Sequence, residues 1–358
     1  MDTIIINNYA LHFNNTAYEK LNTFIDEKNF SKIIVITDTN TKLLCLDEFY
    51  SKFHKEKVKD IINISFFSGE KNKNLSTCKD VWNSLSEYEV DRSSLIINLG
   101  GGVVTDLGGF IASTFMRGIE FINVPTTLLA MVDASIGGKT GVDLNNIKNQ
   151  IGVINNPSMV IIDSVFLKTL PADEMKSGFS EMIKHSLITG ATYWESIKST
   201  NINSFYAGNC FYNSILIKSK IVSDDPYEKG LRKVLNYGHT VGHAIETFCM
   251  STKNRKDLTH GHSIALGMII EGYLSTIKLN FDGKLNLEIN QFILNNFENI
   301  KFKENEVEEI IKLMRFDKKK SGDQINFVLL KNIGEPIINQ KVEIRLIKES
   351  FKYLENIN

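Results

Sequence analysis

The N-terminal half of the chain alternates short β-branched runs with amphipathic stretches of helical period. This alternation predicts a parallel sheet covered by helices, because parallel strands need crossover connections and are buried on both faces. Several runs end in polar or glycine-rich turns, and open α/β sheets bind ligands at such carboxyl ends. The runs that we interpret as buried strands are residues 32–37, 61–67, 94–99, 121–124 and 159–162.

Beyond about Val165 the strand pattern nearly disappears and helical periods dominate. We expect helices over residues 214–222, 231–248 and 264–279, with one late β-hairpin formed by residues 324–330 and 333–337. The sequence therefore predicts an α/β domain over residues 1–163 and a mostly helical domain over residues 164–358.

Composition narrows the class of partner. The formal net charge is -1, from 41 Lys+Arg against 42 Asp+Glu, and the chain has no long basic run, so we expect no nucleic acid and no anionic membrane as partner. The four cysteines are scattered without CxxC pairs, as in reduced intracellular thiols. No apolar run reaches membrane-spanning length and no secretion signal is recognisable, so we expect a cytoplasmic protein.

Four of the seven histidines fall between residues 239 and 262, which indicates a metal site. His239 and His243 are four residues apart and share one face of a helix. Thr240 follows His239, so the zinc-protease motif with its glutamate is absent. His260 and His262 flank a glycine and cannot share a helical face, so at most one of them joins the site.

A third metal ligand is expected from another segment. Glu181 lies three residues before Lys184 in an otherwise apolar helical stretch. Two histidines and one glutamate with an open position are typical of catalytic zinc, whereas structural zinc prefers four closed ligands. The alternative is that these are capping and core histidines beside an i,i+3 ion pair.

Two glycine-rich segments and a set of cations suggest an anionic ligand. The glycines of residues 100–109 follow a predicted strand and open a helix, where bare amides can hold a pyrophosphate; the alternative is a tight turn, since the spacing is not GxGxxG. Residues 125–141 superficially resemble a P-loop but lack its spacing, so ATP binding is not expected. The cations are typical of sites that hold phosphate or carboxylate. They are Lys139, Lys148, Lys184, Lys218, Arg232, Lys318 and Lys319.

In this order the segments resemble the 3-dehydroquinate synthase family, from about Asp38 to Gly334. The strings that carry the resemblance are residues 100–106, 115–118, 124–133, 137–140, 148–152, 181–184, 230–232, 235–239 and 317–319. The resemblance implies a Rossmann-like NAD-binding α/β domain followed by an all-α domain. It also implies a cytoplasmic homodimer that uses zinc, with cobalt as an alternative, and a regenerated NAD.

The implied reaction converts 3-deoxy-D-arabino-heptulosonate 7-phosphate into 3-dehydroquinate and phosphate in the shikimate pathway. It proceeds by transient oxidation with NAD, β-elimination of phosphate, reduction and intramolecular aldol closure. Family positions transfer to this chain residue by residue. The implied metal ligands are Glu181, His239 and His260, which replaces the pairing of His239 with His243 suggested by spacing.

The same resemblance assigns residues to substrate and cofactor. The substrate-contacting matches are Asp133, Lys139, Asn149, Lys184, Lys218, Arg232, Asn236, His243 and one of Lys318 and Lys319, with Lys319 preferred. Arg117 matches an arginine that reaches across the dimer. The cofactor-binding matches are Asp38, Glu70, Lys73, Gly101, Gly102, Val103, Asp106, Thr126, Thr127, Asp133, Lys139, Lys148, Phe166, Thr169, Leu170 and Glu174.

Two positions depart from the family pattern. His262 stands where an acidic residue is common, and Ala134 stands where a small hydroxyl residue is common; both are neighbours of implied ligands. The alternative functions are another sugar-phosphate cyclase, such as a 2-deoxy-scyllo-inosose or valiolone-type synthase, a metal-dependent polyol dehydrogenase, and an inactive NAD-binding scaffold. The matched set that includes Lys218, Arg232 and His243 favours a substrate with a carboxylate.

Overall fold

The computed structural model describes residues 3–53, 60–145, 147–202, 211–253, 255–317 and 324–357. Its contacts divide the chain into two compact units. The first is Met1–Pro171 with Asn203–Pro226, and the second is Ala172–Ile202 with Tyr227–Asn358. The domain division expected between residues 163 and 164 stays a prediction. The second contact unit begins at Ala172, and the first also contains Asn203–Pro226.

A seven-stranded sheet forms the centre of the first unit. Its spatial order is β1-β2-β9-β6-β5-β3-β4, and every neighbouring pair is parallel except the hairpin β1-β2. The strands are β1 Ile4–Ile6, β2 Tyr9–Phe13, β3 Ile33–Asp38, β4 Ile61–Phe66, β5 Leu95–Gly100, β6 Glu120–Pro125 and β9 Met159–Ile162. The five strands predicted from sequence are confirmed to within one residue at each end. The hairpin β1-β2 was missed.

Helices follow the strands of this unit as the alternating pattern predicts. They are α1 Asn14–Lys28, α2 Thr39–Leu44, α3 Leu46–Lys52, α4 Leu75–Glu87, α5 Gly102–Thr114 and, from later in the chain, α8 Tyr212–Asp224. Every residue of β3 and β5 is buried, as expected of β-branched strands covered on both faces. One core cluster joins these two strands to α4 and α5 through residues such as Ile34, Ile96, Cys78 and Leu107.

A second hairpin begins in the second glycine-rich segment, where no strand was predicted. It consists of β7 Lys139–Leu144 and β8 Ile147–Ile154, paired antiparallel. Helix α5 packs against β7. A Cβ atom on Gly109 would lie 2.5 Å from Cγ2 of Thr140, so glycine permits this close approach.

The second unit is mostly helical. Its elements are α6 Ala172–Thr189, α7 Ala191–Lys198, α9 His239–Ser251, α10 His260–Leu279, α11 Gly283–Asn296, α12 Glu304–Asp317, the hairpin β10 Gln324–Asn332 with β11 Glu335–Glu343, and α13 Ile344–Asn356. Helix α10 contacts α6, α9, α11, α13 and β10. The predicted hairpin is confirmed and is longer than expected. Within the described ranges, no helix combines the length and the apolar character needed to cross a membrane.

The single helix predicted over residues 231–248 is wrong. Leu231–Asn236 form a 3₁₀ segment, and α9 begins only at His239. Gly238 separates them with φ +80°, a left-handed conformation that ends regular helix and that glycine adopts without steric cost. Helical periodicity does not register such a break, because the apolar spacing continues across it.

Candidate active site

The starts of two helices set the positions of three histidines. Gly238 turns the backbone into α9, so His239 is the first residue of that helix and His243 lies one turn later. Thr259 caps α10, its Oγ1 accepting a hydrogen bond from the His262 amide at 3.3 Å. His260 is therefore the first residue of α10.

Glu181 of α6 lies opposite two of these imidazoles. Its Oε1 is 3.4 Å from Nε2 of His239 and 3.6 Å from Nε2 of His260, and it accepts no hydrogen bond from the described residues. Ligands at 2.0–2.2 Å from a tetrahedral zinc are separated by about 3.3–3.6 Å. The distances from this carboxylate oxygen to the two ring nitrogens therefore suit ligands that share one divalent ion.

The other ring nitrogen of each histidine is hydrogen-bonded. His239 Nδ1 lies 3.1 Å from the Tyr237 carbonyl oxygen, which only accepts, so Nδ1–H donates. His260 Nδ1 donates in the same way to Oε2 of Glu246 at 3.2 Å. In their neutral forms, both histidines direct an Nε2 lone pair toward Glu181, the arrangement found around metal-bound histidines.

Burial and neighbouring charges shift the pKa of each of these three side chains. Burial acts to raise the pKa of Glu181, but Lys184 and His239 outweigh it and hold that pKa well below the ordinary value. Burial and the Lys184 cation lower the pKa of His239 far below its usual range. Burial lowers the pKa of His260, yet Glu246 and Glu181 raise it to about 9. Near neutral pH, His260 carries the proton that a metal must displace.

His243 belongs to the same cluster and offers a second ligand set. One ring nitrogen from each of His239, His243 and His260 lies within 4.8 Å of the others. His262 is directed elsewhere, with Nε2 2.7 Å from the Glu298 carbonyl oxygen. One histidine of the 260/262 pair therefore joins the cluster, and the choice between Glu181 and His243 as third ligand stays a prediction.

Buried cations accompany the cluster in the second unit. Lys184 is 1% exposed and forms an ion pair with Glu181. Arg232, in the 3₁₀ segment, is 2% exposed. Asn236 Nδ2 donates to Oε1 of Glu228 at 2.7 Å, a partner that sequence reasoning missed because Glu228 lies in an irregular turn.

In the first unit, Lys73 contacts one residue that was predicted to bind the cofactor and one that was predicted to bind the substrate. Its Nζ lies 2.6 Å from Oδ2 of Asp106 and 2.6 Å from Oδ1 of Asn149. Asn149 is fixed in turn by its amide, which donates to Oδ1 of Asp143 at 2.8 Å. Burial acts to lower the pKa of Lys73, but Asp106 and Glu70 outweigh burial and raise it, so the lysine remains a cation. Asp143 was missed because it lies in the unpredicted hairpin.

Two further ion pairs join predicted residues of the first unit. Lys148 Nζ lies 3.0 Å from Oε1 of Glu70. Lys218 of α8 lies 2.5 Å from Oδ1 of Asp133, which stands in a short π-helical turn, Ala130–Ala134. The second pair brings together residues separated by 85 positions, which explains why no local pattern indicated it.

Most predicted cofactor residues follow the carboxyl ends of parallel strands. Asp38 ends β3 and Glu70 follows β4. After β9, Phe166 and Thr169 lie in the 3₁₀ segment Ser164–Thr169, and Leu170 follows it directly. Gly101, Gly102 and Val103 follow β5, and Thr126 and Thr127 follow β6. Because parallel strands end at one edge of the sheet, these residues share the edge at which such folds bind ligands.

The glycine turn after β5 opens α5 as predicted. A Cβ atom on Gly101 would lie 2.8 Å from Cγ2 of Thr127, and one on Gly100 would overlap Val104 at 2.4 Å. Close packing thus explains these two glycines, while Gly102 would meet only the Ala134 Cβ at 3.4 Å. Binding of a pyrophosphate at this turn stays a prediction.

The remaining predicted residues occupy varied positions. Asp38 caps α2, its Oδ1 accepting from the Thr41 amide at 2.7 Å. Arg117 has φ +68° in a turn after α5, and Lys139 is exposed at the start of β7. Glu174 lies in the first turn of α6. Lys318 and Lys319 lie outside the described residues.

Comparison with known proteins extends the likeness over most of the chain. The model of the 3-dehydroquinate synthase N-terminal domain matches residues 63–177, and that of the C-terminal domain matches residues 178–320. A 3-dehydroquinate synthase from Parabacteroides distasonis is 38% identical over 339 residues, covering 93% of this chain and 94% of the relative. One from Campylobacter jejuni is 38% identical over 332 residues, covering 90% and 92%.

A solved structure shows the same similarity in three dimensions. A 2-deoxy-scyllo-inosose synthase, complexed with carbaglucose-6-phosphate, NAD+ and Co2+, superimposes with a TM-score of 0.84. It is 25% identical, and the superposition covers 98% of this chain and all of that one.

Proposed function

Since the chain belongs to the 3-dehydroquinate synthase family, we propose that it converts 3-deoxy-D-arabino-heptulosonate 7-phosphate into 3-dehydroquinate and phosphate. It is a phosphate-eliminating lyase of aromatic amino acid biosynthesis. The observation that carries the proposal is the match of both family domains across residues 63–320. The Glu181 cluster lies within that range and has the donor types that a catalytic zinc requires.

The proposed cofactors are NAD and one divalent ion, zinc or cobalt. Glu181, His239 and His260 would hold the ion, and the residues at the carboxyl edge of the sheet would hold NAD. The similar 2-deoxy-scyllo-inosose synthase was solved with NAD+ and Co2+. When bound, the ion polarises a substrate alcohol as a Lewis acid, and NAD accepts a hydride and returns it within one cycle.

The cationic side chains of the chain hold the anionic ends of the substrate. A guanidinium donates two parallel hydrogen bonds to a carboxylate, so the buried Arg232 supplies orientation as well as charge. Lys218 is kept in place by Asp133 and supplies a compact positive charge. Such groups stabilise a departing phosphate without reorganising, because their positions are already fixed.

His243 is the imidazole of the cluster that lies outside the proposed ligand set. Its ring centroid lies 5.1 Å from that of His239 and 5.6 Å from that of His260. A group beside the metal cluster can move a proton to or from the substrate during elimination, which is the ordinary task of histidine in catalysis. We assign the proton transfer to this residue.

The proposed assembly is a homodimer in the cytoplasm, with Arg117 reaching the partner subunit and with no nucleic acid or membrane partner. Met116 and Arg117 have left-handed backbone conformations, with φ +49° and +68°, which turn the chain at the end of α5. The small net charge of -1 is consistent with a small-molecule substrate.

The test is to measure phosphate release from the heptulosonate phosphate in the presence of zinc, with NAD kept below the enzyme concentration. Many phosphates should appear per NAD, without accumulation of NADH, because the reaction is redox-neutral overall. Removal of the metal by a chelator should stop phosphate release, and added zinc should restore it.

Glucose 6-phosphate serves as the matched alternative substrate for a different sugar-phosphate cyclase. Turnover of glucose 6-phosphate but not of the heptulosonate phosphate would assign the chain to that activity. Accumulation of one NADH per product would instead indicate a dehydrogenase.

A further inference from the structure

A buried carboxylate of α9 contacts a histidine of α10. Glu246 is 3% exposed, and its Oε2 accepts the Nδ1–H of His260 at 3.2 Å across 14 residues of sequence. This hydrogen bond fixes both the ring orientation and the tautomer of His260, leaving Nε2 to face Glu181.

A second buried carboxylate makes the reverse connection, from α10 to α9. Glu271 is fully buried, and its Oε2 accepts from the Gly238 amide at 2.7 Å while Oε1 lies 3.4 Å from the Val241 amide. Amides at the start of a helix have no acceptor within the helix, and Gly238 has no side chain to cap α9. A negative charge at this end also matches the helix dipole.

A glycine allows the backbones of α9 and α10 to approach closely enough for these carboxylates to bridge the two helices. A Cβ atom on Gly267 of α10 would lie 2.0 Å from the Gly238 carbonyl oxygen and 2.9 Å from the Gly242 amide nitrogen. The backbones of α9 and α10 therefore touch beside the first residue of α9, His239.

We propose that Glu246 and Glu271 are positioning residues that form a reciprocal clamp between α9 and α10, fixing the imidazoles of His260 and His239 before a metal binds. Each helix carries one metal-facing histidine, and each supplies the carboxylate that orients the other helix's histidine or its first turn. The inference rests on the proposed function only in taking His239 and His260 as metal ligands.

The first experiment measures the zinc dissociation constant of the full chain by competition with a chromogenic chelator. Glu246→Ala should weaken zinc binding about 10- to 100-fold, the usual effect of removing a partner of a ligating histidine. Glu246→Gln should recover most of the affinity, because its amide oxygen can still accept the Nδ1–H bond. The absorption spectrum of the cobalt-loaded protein should change in the alanine variant and return in the glutamine variant.

The second experiment measures amide hydrogen exchange at the start of α9. Glu271→Gln replaces one acceptor oxygen by an NH₂ donor, so protection of the amides of residues 238–241 should fall at least ten-fold, with weaker zinc binding. Glu309→Gln on α12 is the matched control, since this carboxylate is exposed and pairs only with Lys312 among the ion pairs described. It should leave both measurements unchanged.

Unchanged zinc affinity in Glu246→Ala, whatever its melting temperature, would overturn the inference. So would parental exchange and parental zinc affinity in Glu271→Gln. A parent protein that binds no zinc would overturn the proposed metal site and this inference with it, whereas a zinc-binding parent with unaffected variants would overturn the inference and leave the proposed function standing.

Discussion

At the residue scale, the sequence identified the candidate metal ligands better than it identified the residues that hold those ligands in place. Glu181, His239 and His260 follow from the family resemblance, while spacing by itself favoured His239 with His243, and the structure brings all four together. Glu246 and Glu271 carried no signal, because each bonds to a group on another helix 14 and 33 residues away.

Arg232→Ala should lower kcat/KM for the heptulosonate phosphate at least about ten-fold. Loss of a charged hydrogen bond costs about 1.5–3 kcal/mol, and the substrate anion would be left partly unpaired. Zinc affinity should stay near the parental value. The matched control is Arg345→Ala, whose side chain is 88% exposed on α13. Parental kcat/KM in Arg232→Ala would exclude the anion-holding role.

The thiols of Cys45, Cys78 and Cys249 should resist modification in the native protein. Burial is the main cause that raises their pKa values, to about 11, 12 and 11. A free thiol has a pKa of about 8.5, so the thiolate fraction at pH 8 should be lower by a factor of about 100 or more, and reactivity should rise as pH increases toward 11.

The measurement for these thiols is the rate of reaction with a chromogenic disulfide reagent at pH 8, native and in urea. Cys210 lies outside the described residues and is replaced by serine beforehand. Rapid reaction of three thiols per native chain would contradict the assigned burial.

At the element scale, the sequence pattern predicted the buried parallel strands. It missed two hairpins and the helix break at Gly238. The buried strands were located because six-residue β-branched runs such as β3 leave a clear signal. The strand β1 has only three residues, and β2 has no β-branched residue among its five, so neither gave this signal. The hairpin β7-β8 was hidden by its glycines, and the break at Gly238 by apolar spacing that continues through it.

Gly267→Ala should reduce the free energy of unfolding by at least about 2 kcal/mol. The new methyl group would lie 2.0 Å from the Gly238 carbonyl oxygen, and backbone cannot move aside as a flexible side chain can. Urea unfolding measures the change.

Gly283→Ala at the start of α11 is the matched control for this substitution, because a Cβ atom there meets nothing within 4 Å. It should be neutral or stabilise by up to about 1 kcal/mol. Equal stability of the two alanine variants would mean that α9 and α10 are not in backbone contact at Gly267.

At the scale of the whole molecule, the order of segments predicted an α/β half followed by a helical half, and the boundary between them stays a prediction. Helix α8 lies in the first contact unit, where Lys218 forms an ion pair with Asp133. Helical periodicity does not show which unit a helix packs in, because packing depends on surface shape and charge rather than on adjacency in the sequence.

Zinc should stabilise the folded chain, and the choice of variant separates the two possible ligand sets. An ion that binds only the folded state at 100 times its Kd adds about 2.7 kcal/mol, which raises the Tm of a unit of this size by roughly 5–10 °C. Calorimetry with and without zinc measures the shift. If Glu181, His239 and His260 hold the ion, Glu181→Gln should abolish the shift and His243→Ala should keep it. The opposite result would assign the ion to the three histidines, whose ring nitrogens lie within 4.8 Å of one another.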